Sequence, residues 1–369
     1  MKKIALMTIY QVPNFGSVLQ TYATQLLLTK LGYECKIIKY KYPNEWHFRH
    51  GWSKPSLKNK IAYWINIQSR RKLRKLELFR NQYFNFTKIY NSLDELIKED
   101  WSDYNTVVAG SDQIWNPRFL KCDTAFMLSF LPDNIKRISI ASSFASANLN
   151  ETEIKTFKKY LTKFSALSVR EANGINIIKN NLNINKNIPT ILDPTLLINK
   201  EEWLTLLSNI KIRKQEKYII FYMLDYAFNP KPYIFKVAKF FKEKLNAKIL
   251  AISGYSSLKK NYGLNMINYS DITPNEFIYL FNNCDLVITS SFHGTAFAIN
   301  FGKPLISVIP SNSQDDRQTS LLKSLGLNNC LVPINTPLTN INPYYDKDLE
   351  QLNLEVLRKT SINWIKQNL

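Results

Sequence analysis

The sequence has few of the residues that build metal centres and disulfide frameworks. Of its 369 residues only four are cysteines and three are histidines. The cysteines, at positions 35, 122, 284 and 330, are far apart and form no CxxC pair. Neither zinc binding nor disulfide stapling is therefore indicated, and a reducing cytoplasm fits. Clustered carboxylates with metal-ligand spacing are also missing near the polar motifs described below, so we expect no metal and no resident cofactor.

Long apolar runs are missing as well. No stretch approaches the ~18–20 apolar residues of a membrane span. The opening Met1-Lys2-Lys3 is followed by too short an apolar run for a secretory signal. We therefore expect a cytoplasmic protein, one that would reach a membrane-bound substrate from the inner membrane surface.

Acidic residues are scarce relative to basic ones. The chain has 49 Lys and Arg against 29 Asp and Glu, a net charge of +20, and a pI near 9.6. This excess favours an anionic partner, such as nucleic acid, an acidic membrane surface, or a phosphorylated or carboxylated substrate. Hydrophobic residues make up 45% of the chain, enough for sizeable cores. The length predicts two domains.

Short β-rich apolar runs alternate with helical patterns along the whole chain, which is typical of parallel α/β sheets. We place a boundary near residue 200, between an N-terminal domain (1–198) and a C-terminal domain (199–369) whose last helix could pack back on the first. Two such domains would put a ligand cleft at the carboxyl ends of their strands. The predicted strands cover residues 4–10, 37–38, 106–109, 138–141, 166–169, 188–192, 218–222, 249–252, 286–289 and 305–308.

One basic segment interrupts this alternation. Residues 46–80 contain ten basic side chains against a single acidic one, Glu77, for a net charge of +9. Apolar residues recur there at helical spacing, which predicts an amphipathic helical insertion over about residues 46–90. Three interpretations stay open: a solvated helix packed on its own domain, a surface that docks on a membrane or acceptor, and nucleic-acid binding. No reader motif accompanies the charge, which disfavours nucleic acid.

Two polar motifs follow predicted strands in the N-terminal half. Residues 14–20 (NFGSVLQ) come after the first strand, and Ser17 is a plausible cap for a helix whose free N–H groups could bind an anion or a sugar hydroxyl. Residues 110–116 (GSDQIWN) combine hydrogen-bonding groups with an aromatic side chain, as a sugar site would. A simple strand-to-helix turn and structural capping are the alternatives.

Three further motifs could bind an anion. Arg170 ends the strand at 166–169, where its guanidinium matches a carboxylate or phosphate, although a surface pair with Glu171 would look the same. Residues 288–299 lead from a strand through SSFHGT into an apolar helix, which predicts an anion site containing His293 as general acid or base. Arg317, in the loop at 313–317, could close over that anion or simply be a surface charge.

Taken in order, these motifs resemble the polysaccharide pyruvyl transferase family over most of the chain. The matching residues are NFGS at 14–17, GSDQIWN at 110–116, SVRE at 168–171, DPT at 193–195, SFHG at 291–294 and the stretch 317–326. The resemblance implies two Rossmann-like domains, as in GT-B glycosyltransferases, with parallel sheets facing a cleft. It also implies transfer of pyruvate from phosphoenolpyruvate to two hydroxyls of a sugar as a ketal. The acceptor would be a galactose-type or other hexose residue of a surface polysaccharide repeat, either lipid-linked or free.

The resemblance assigns roles to individual residues. His293 corresponds to the histidine of donor binding or catalysis, and Arg170 to the arginine that contacts the donor. Many members carry Arg-Leu-His where this chain has Ser-Phe-His at 291–293, so Arg317, backbone N–H groups or Arg170 would have to hold the donor. We predict His293 and Asp112 as catalytic residues. The predicted donor contacts are Arg170, Ser290, Ser291, His293, Gly294, Thr295 and Arg317, and the predicted acceptor contacts are Asn14, Gly16, Ser17, Gln20, Ser111, Asp112, Gln113, Trp115 and Asn116.

Other functions remain as alternatives. A nucleotide-sugar glycosyltransferase would use the same two-domain plan and also takes a phosphorylated donor. The chain could instead be a non-catalytic carbohydrate-binding partner in polysaccharide assembly. A basic nucleic-acid binder would show steep salt-dependent binding to random duplex DNA. We favour a pyruvyl transferase that binds no nucleic acid and has an anionic membrane surface as a candidate partner.

Overall fold

A computed structural model describes residues 2–41, 67–145, 148–207, 216–252, 262–311 and 316–369. The predicted basic segment up to residue 66 and part of the loop before Arg317 lie outside these ranges. The described residues form two compact units. The first comprises those within 2–41, 78–197 and 357–369, and the second those within 67–77 and 198–356.

The first unit contains a parallel sheet of five strands among the described residues, in the order β3-β2-β1-β4-β5. The central strands β1 and β4 are buried almost throughout, as the apolar runs at residues 4–7 and 107–109 predict for a sheet covered on both faces. The strands are β1 Lys3–Met7, β2 Glu34–Tyr40, β3 Phe86–Tyr90, β4 Thr106–Asp112 and β5 Lys136–Ser142.

The second unit contains a parallel sheet of six described strands in the order β11-β10-β9-β6-β7-β8. Its central strands β6, β9 and β10 are again fully buried. Read from β6, this is the strand order of a doubly wound nucleotide-binding sheet. The strands are β6 Tyr218–Tyr222, β7 Lys248–Ala251, β8 Met266–Asn268, β9 Leu286–Thr289, β10 Leu305–Ile309 and β11 Leu331–Pro333.

Helices separate the strands, as parallel connections require. In chain order the described α-helices are α1 Phe15–Lys30, α2 Ile67–Tyr83, α3 Leu93–Ile97, α4 Pro117–Leu120, α5 Glu151–Leu161, α6 Ala172–Asn176, α7 Pro194–Leu197, α8 Lys200–Leu204, α9 Tyr233–Leu245, α10 Pro274–Asn283, α11 Phe292–Asn300, α12 Asp316–Ser324 and α13 Lys347–Asn368. Shorter turns are a π-helix at Ile177–Asn181 and 3-10 helices at Thr124–Met127, Thr205–Leu207, Asn328–Cys330 and Leu338–Asn340. None of the helices within the described ranges has the length and hydropathy needed to cross a bilayer.

Two predicted strands differ in the structure. Residues 166–169 and 188–192 make only isolated parallel bridges and do not extend the first sheet. Serine side chains replace part of the expected backbone ladder: Ser168 N donates to Ser139 Oγ at 2.8 Å, and Ser168 Oγ donates to Ser139 O at 2.6 Å. Such side-chain bonds offer the backbone an alternative to sheet pairing.

The predicted helical insertion is corrected at its end. Helix α2 ends at Tyr83, and the residues that follow form β3, which pairs with β2 through Ile37 and Phe86. Arg80, one of the ten basic residues of the insertion, is buried, and its Nη1 donates to Tyr10 O and Gln11 O, both at 3.2 Å. The guanidinium therefore satisfies backbone carbonyls inside the first unit.

Helix α13 contributes to both units. Residues 357–369 belong to the first unit, where Arg358 Nε donates to Leu196 O at 2.6 Å. Ser361 Oγ accepts a hydrogen bond from Leu192 N at 3.1 Å. The two bonds fix Leu192 and the α7 residue Leu196. Asp193, which belongs to the site described next, lies between them.

Candidate functional site

Each sheet has one point at which the strand order reverses. In the first unit it lies between β1 and β4, and in the second between β6 and β9. Ligands of open α/β sheets bind outside the carboxyl ends of the strands at such points. Two of the polar motifs of the sequence lie at the carboxyl ends of β4 and β9, so each unit has a candidate site at its reversal point.

Helix α1 begins one turn earlier than expected. Asn14, and not Ser17, is its N-cap, and the Asn14 Oδ1 accepts a hydrogen bond from Gly16 N at 2.8 Å. Both residue types cap helices well, so their identity alone did not decide between them. The Ser17 hydroxyl is left to donate to Asp112 Oδ2 at 2.7 Å, joining α1 to the end of β4.

The end of β4 has an unusual backbone that aims Asp112. Gly110 has φ +134°, and a Cβ there would overlap the carbonyl oxygen of Ile140 on β5, so only glycine fits. Asp112 itself has φ +73°, a conformation that aspartate tolerates better than most residues. Its side chain is 7% exposed.

Arg170 lies among three carboxylates in the first unit. Its Nη1 donates to Asp193 Oδ2 at 2.9 Å, its Nη2 lies 3.5 Å from Asp112 Oδ1, and its Nε lies 3.8 Å from Glu171 Oε2. The arginine side chain is 1% exposed. One cation thus faces three buried or nearly buried carboxyl groups, which makes this end of the first sheet electronegative.

Asp193 connects Arg170 with the strand end. Its Oδ2 also accepts from Ser111 Oγ at 2.9 Å, while its Oδ1 accepts from Thr195 N at 3.0 Å and Thr195 Oγ1 at 2.8 Å. The sequence marked this DPT segment only as part of the family resemblance. Its chemical role was missed because the partners are 23 and 82 positions away.

The remaining predicted acceptor residues lie inside the first unit. Trp115 is 1% exposed and packs on Phe144 and Phe164, so in this position it offers no face for stacking on a sugar. Gln20 is fully buried, and its Nε2 donates to Thr8 Oγ1 at 2.9 Å. Ser111 is fully buried too, and these three side chains support the strand ends from within.

Gln113 and Asn116 are bound to each other. Asn116 Nδ2 donates to Gln113 Oε1 at 2.9 Å, and Asn116 Oδ1 accepts from Arg118 N at 3.1 Å as the cap of α4. Both residues are mostly buried, with 7% and 4% exposed. The capping role that was the structural alternative for this motif therefore falls to Asn116.

In the second unit, β9 leads directly into α11. Ser291 is the helix N-cap and its Oγ accepts from Gly294 N at 3.4 Å. Ser290 crosses to the segment after β6, where its Oγ donates to Leu224 O at 2.7 Å and accepts from Leu224 N at 2.9 Å. Helix N-termini attract anions because their first N–H groups point outward.

Gly294 lets α11 approach the sheet. A Cβ at this position would overlap Thr289 Oγ1 and come within 2.9 Å of Tyr222 Cδ1. The same Thr289 Oγ1 donates to Tyr222 O at 2.6 Å and accepts from Ser291 N at 3.0 Å. The glycine and the threonine together fix the helix N-terminus against β6 and β9.

His293 and Arg317 are mostly buried in the second unit. His293 is the second residue of α11, is 6% exposed, and has its ring centroid 5.3 Å from that of Phe292 in an edge-on arrangement. Arg317, near the start of α12, is 4% exposed. Thr295 is fully buried and shares a hydroxyl contact with Ser307 at 2.9 Å.

A polar cluster behind α11 was not predicted. Gln318 on α12 is fully buried, and its Nε2 donates to Ser307 Oγ at 2.7 Å. Gln318 directly follows Arg317, which the sequence analysis had singled out, but a single glutamine in a helix gives no sign that it is buried.

Within the described residues there is no group of three or more His, Cys, Asp and Glu side chains arranged to hold a metal ion.

Several solved structures resemble this chain over nearly its whole length. They include MnaA of S. aureus with UDP (10% identity, covering 95% of this chain and 94% of that one, TM-score 0.54). A putative UDP-N-acetylglucosamine 2-epimerase from Listeria monocytogenes has 11% identity, coverage of 100% and 92%, and a TM-score of 0.53. At these identities the similarity concerns the fold alone, and it agrees with the predicted pair of Rossmann-like domains.

The sequence itself identifies the family. The sequence model of the polysaccharide pyruvyl transferases matches residues 14–312, which include the polar motifs at the ends of β1, β4 and β9. The chain therefore belongs to the polysaccharide pyruvyl transferase family, a family of transferases. A search of curated proteins gives no match.

Proposed function

We propose that this protein transfers pyruvate from phosphoenolpyruvate to two hydroxyls of one sugar residue, forming a ketal and releasing phosphate. The observation that carries the proposal is the N-terminus of α11, where Ser291, His293 and Gly294 follow a buried strand at a reversal point of the sheet. Family membership supports it independently.

The second unit is the proposed donor side. Phosphoenolpyruvate carries a carboxylate and a phosphate, and the free N–H groups of α11 suit an anion. Ser290, Thr295 and Arg317 are the other proposed donor contacts, with Thr295 acting from its buried position. His293, one residue into the helix, would donate the proton that reaches C3 of the enol.

The expected donor contact by Arg170 has less support from the geometry. Its guanidinium already faces the carboxylates of Asp112, Glu171 and Asp193, and an electronegative surrounding repels an anionic donor. We therefore propose that Arg170 acts on Asp112, and that the first unit is the acceptor side. Asn14, Gly16 and Ser17 at the start of α1 would then border the acceptor beside Asp112.

In the proposed reaction the two sugar hydroxyls add in turn to C2 of phosphoenolpyruvate. C3 of the enol gains a proton from His293 while the first sugar hydroxyl, deprotonated by Asp112, attacks C2. Phosphate then leaves C2 with the electron pair of its C–O bond. The second hydroxyl adds to C2 and gives its proton to the departing phosphate, which closes the ketal. Placed groups that transfer protons typically contribute ~10²–10⁴-fold each.

The acceptor is proposed to be a hexose of a surface-polysaccharide repeat, carried on lipid at the inner face of the cytoplasmic membrane. Helix α2 supports this location, since Arg71, Arg74 and Leu78 are exposed on it. Lys75 is less available, because its Nζ lies 3.7 Å from Glu276 Oε2. Basic and apolar side chains on one helix suit an anionic lipid surface.

Product mass spectrometry tests the proposal. The protein is incubated with phosphoenolpyruvate and a panel of β-galactosides, mannosides and N-acetylhexosamines, and one glycoside should gain the mass of a pyruvyl ketal. A parallel incubation with UDP-sugars tests the glycosyltransferase alternative, which would release nucleoside diphosphate instead. If the folded protein forms a ketal with none of the glycosides in the panel, the proposal is overturned.

Two variants test the histidine. His293→Ala and His293→Gln should both fold and should both lose about 10²-fold or more in turnover if the ring moves a proton. Glutamine keeps a hydrogen-bond donor of similar size, so retained turnover in His293→Gln alone would assign the histidine a positioning role. Wild-type turnover in both variants would remove His293 from the chemistry.

A further inference from the structure

Asp193 and Asp112 share one arginine. Of the three ion pairs of Arg170, the one with Asp193 is the shortest, at 2.9 Å, against 3.5 Å for Asp112 and 3.8 Å for Glu171. Asp193 and Glu171 are fully buried as side chains, whereas the Asp112 side chain is 7% exposed. The guanidinium thus makes its closest contact with a carboxylate that no ligand reaches.

Each of the two buried carboxylates is held by its own donors. Thr195 N, Thr195 Oγ1 and Ser111 Oγ fix Asp193 at 2.8–3.0 Å. Glu171 Oε1 accepts from Ser143 Oγ, Phe144 N and Ala145 N at 2.9–3.1 Å. These bonds keep both carboxyl groups in place, so Arg170 is held from two sides.

We infer that Asp193 is a positioning residue, which competes with Asp112 for Arg170 and so keeps the Asp112 carboxylate available to accept a proton from the acceptor hydroxyl. This inference rests on the proposed function, in which Asp112 is the base. The geometry gives its reason. A carboxylate bonded tightly to a guanidinium is a weak base, and Asp193 takes the tighter contact with the cation.

The groups around Asp112 determine how the loss of the Asp193 carboxylate would change Asp112 as a base. Ser17 Oγ donates to one carboxylate oxygen of Asp112, and Arg170 faces the other. In Asp193→Asn, the guanidinium loses its closest anionic partner and is free to turn its charge to Asp112. With one carboxylate fewer beside it, the Arg170 guanidinium stabilises the Asp112 carboxylate more strongly. Asp112 then becomes a weaker base.

The test is the pH profile of phosphate release from phosphoenolpyruvate, with the glycoside of the panel that the wild-type protein converts. For Asp193→Asn we expect kcat at pH 7 to fall on the order of tenfold, a fraction of the full effect of a placed base. The KM for phosphoenolpyruvate should change less than about twofold, and the acid limb of kcat/KM should move to lower pH. Asp193→Glu, which keeps the charge, should keep the wild-type limb.

A charge-matched control separates this effect from net charge. Asp133→Asn makes the same change on an 80% exposed side chain paired with Lys163, and its profile should equal that of the wild type. A folded Asp193→Asn whose acid limb stays in place, or whose KM rises while kcat holds, would overturn the inference and leave the proposed function standing. A wild-type protein that releases no phosphate with any glycoside would overturn the proposed function itself.

Discussion

Gly294→Ala is the substitution that most directly tests how α11 is seated. The new methyl group would overlap Thr289 Oγ1 and come within 2.9 Å of Tyr222 Cδ1. Neither neighbour can yield easily, because both are buried in the centre of the second sheet. Either the N-terminal turn of α11 moves outward, or Thr289 rotates and loses its 2.6 Å hydrogen bond to Tyr222 O.

The size of the effect follows from these two routes. Overpacking a buried site costs about 1–3 kcal/mol, and one lost buried hydrogen bond costs roughly 1 kcal/mol. At roughly 2–4 °C per kcal/mol for a domain of this size, the Tm of the second unit should fall by about 2–12 °C. Since the moved turn carries Ser291 and His293, the KM for phosphoenolpyruvate should rise as well.

Gly302→Ala is the matched control at the other end of the same helix. Gly302 has φ +59° with open space where a Cβ would lie, so alanine there adds backbone strain of about 1–2 kcal/mol without a clash. Differential scanning calorimetry measures both melting temperatures, and phosphate release measures both KM values. An unchanged KM in Gly294→Ala, together with a Tm no lower than that of Gly302→Ala, would refute the proposed close approach.

Two further predictions concern the surface and the thiols. The double variant Arg71→Glu, Arg74→Glu should bind vesicles containing phosphatidylserine about tenfold or more weakly, at ~1 kcal/mol per lost basic residue. The control reverses the charges of the exposed Lys236 and Lys239 on α9. Equal losses in both double variants would contradict a membrane contact by α2. Burial raises the pKa of all four cysteine thiols, that of Cys122 to about 11. An aromatic disulfide reagent should therefore label the folded protein slowly at pH 8 and faster as pH rises toward 11, and prompt labelling of the native protein at pH 8 would contradict this.

The central strands could be predicted from the sequence, but of the four described strands at sheet edges only β5 could. Strands such as β4 and β9 are buried on both faces, and each contains a run of apolar residues, at 107–109 and 286–288. The strands β3, β8 and β11 were missed because they lie at or near sheet edges, are short, and contain exposed positions. Partial burial leaves no apolar run for a sequence pattern to detect.

The site was predicted as separate motifs, and its connections were not. The motifs containing Ser17 and Asp112 were both identified, yet their hydrogen bond joins residues 95 positions apart. Arg170 was recognised by its type and Glu171 was named as an alternative partner, but the ion pairs of Arg170 with Asp112 and Asp193 join distant segments of the first unit. Residue type and spacing indicate which chemistry is available, whereas the pairing of charges depends on the folded chain.

The division of the chain between the units sets an order for their completion during synthesis. The chain passes from one unit to the other four times, between residues 41 and 67 and at 77/78, 197/198 and 356/357. The ribosome therefore releases residues 357–369, which bind the Leu192 and Leu196 backbone of the first unit, only after the whole second unit has been made. Until then Leu192 N and Leu196 O lack these partners, so the segment that carries Asp193 gains its last anchors only when residues 357–369 have been made.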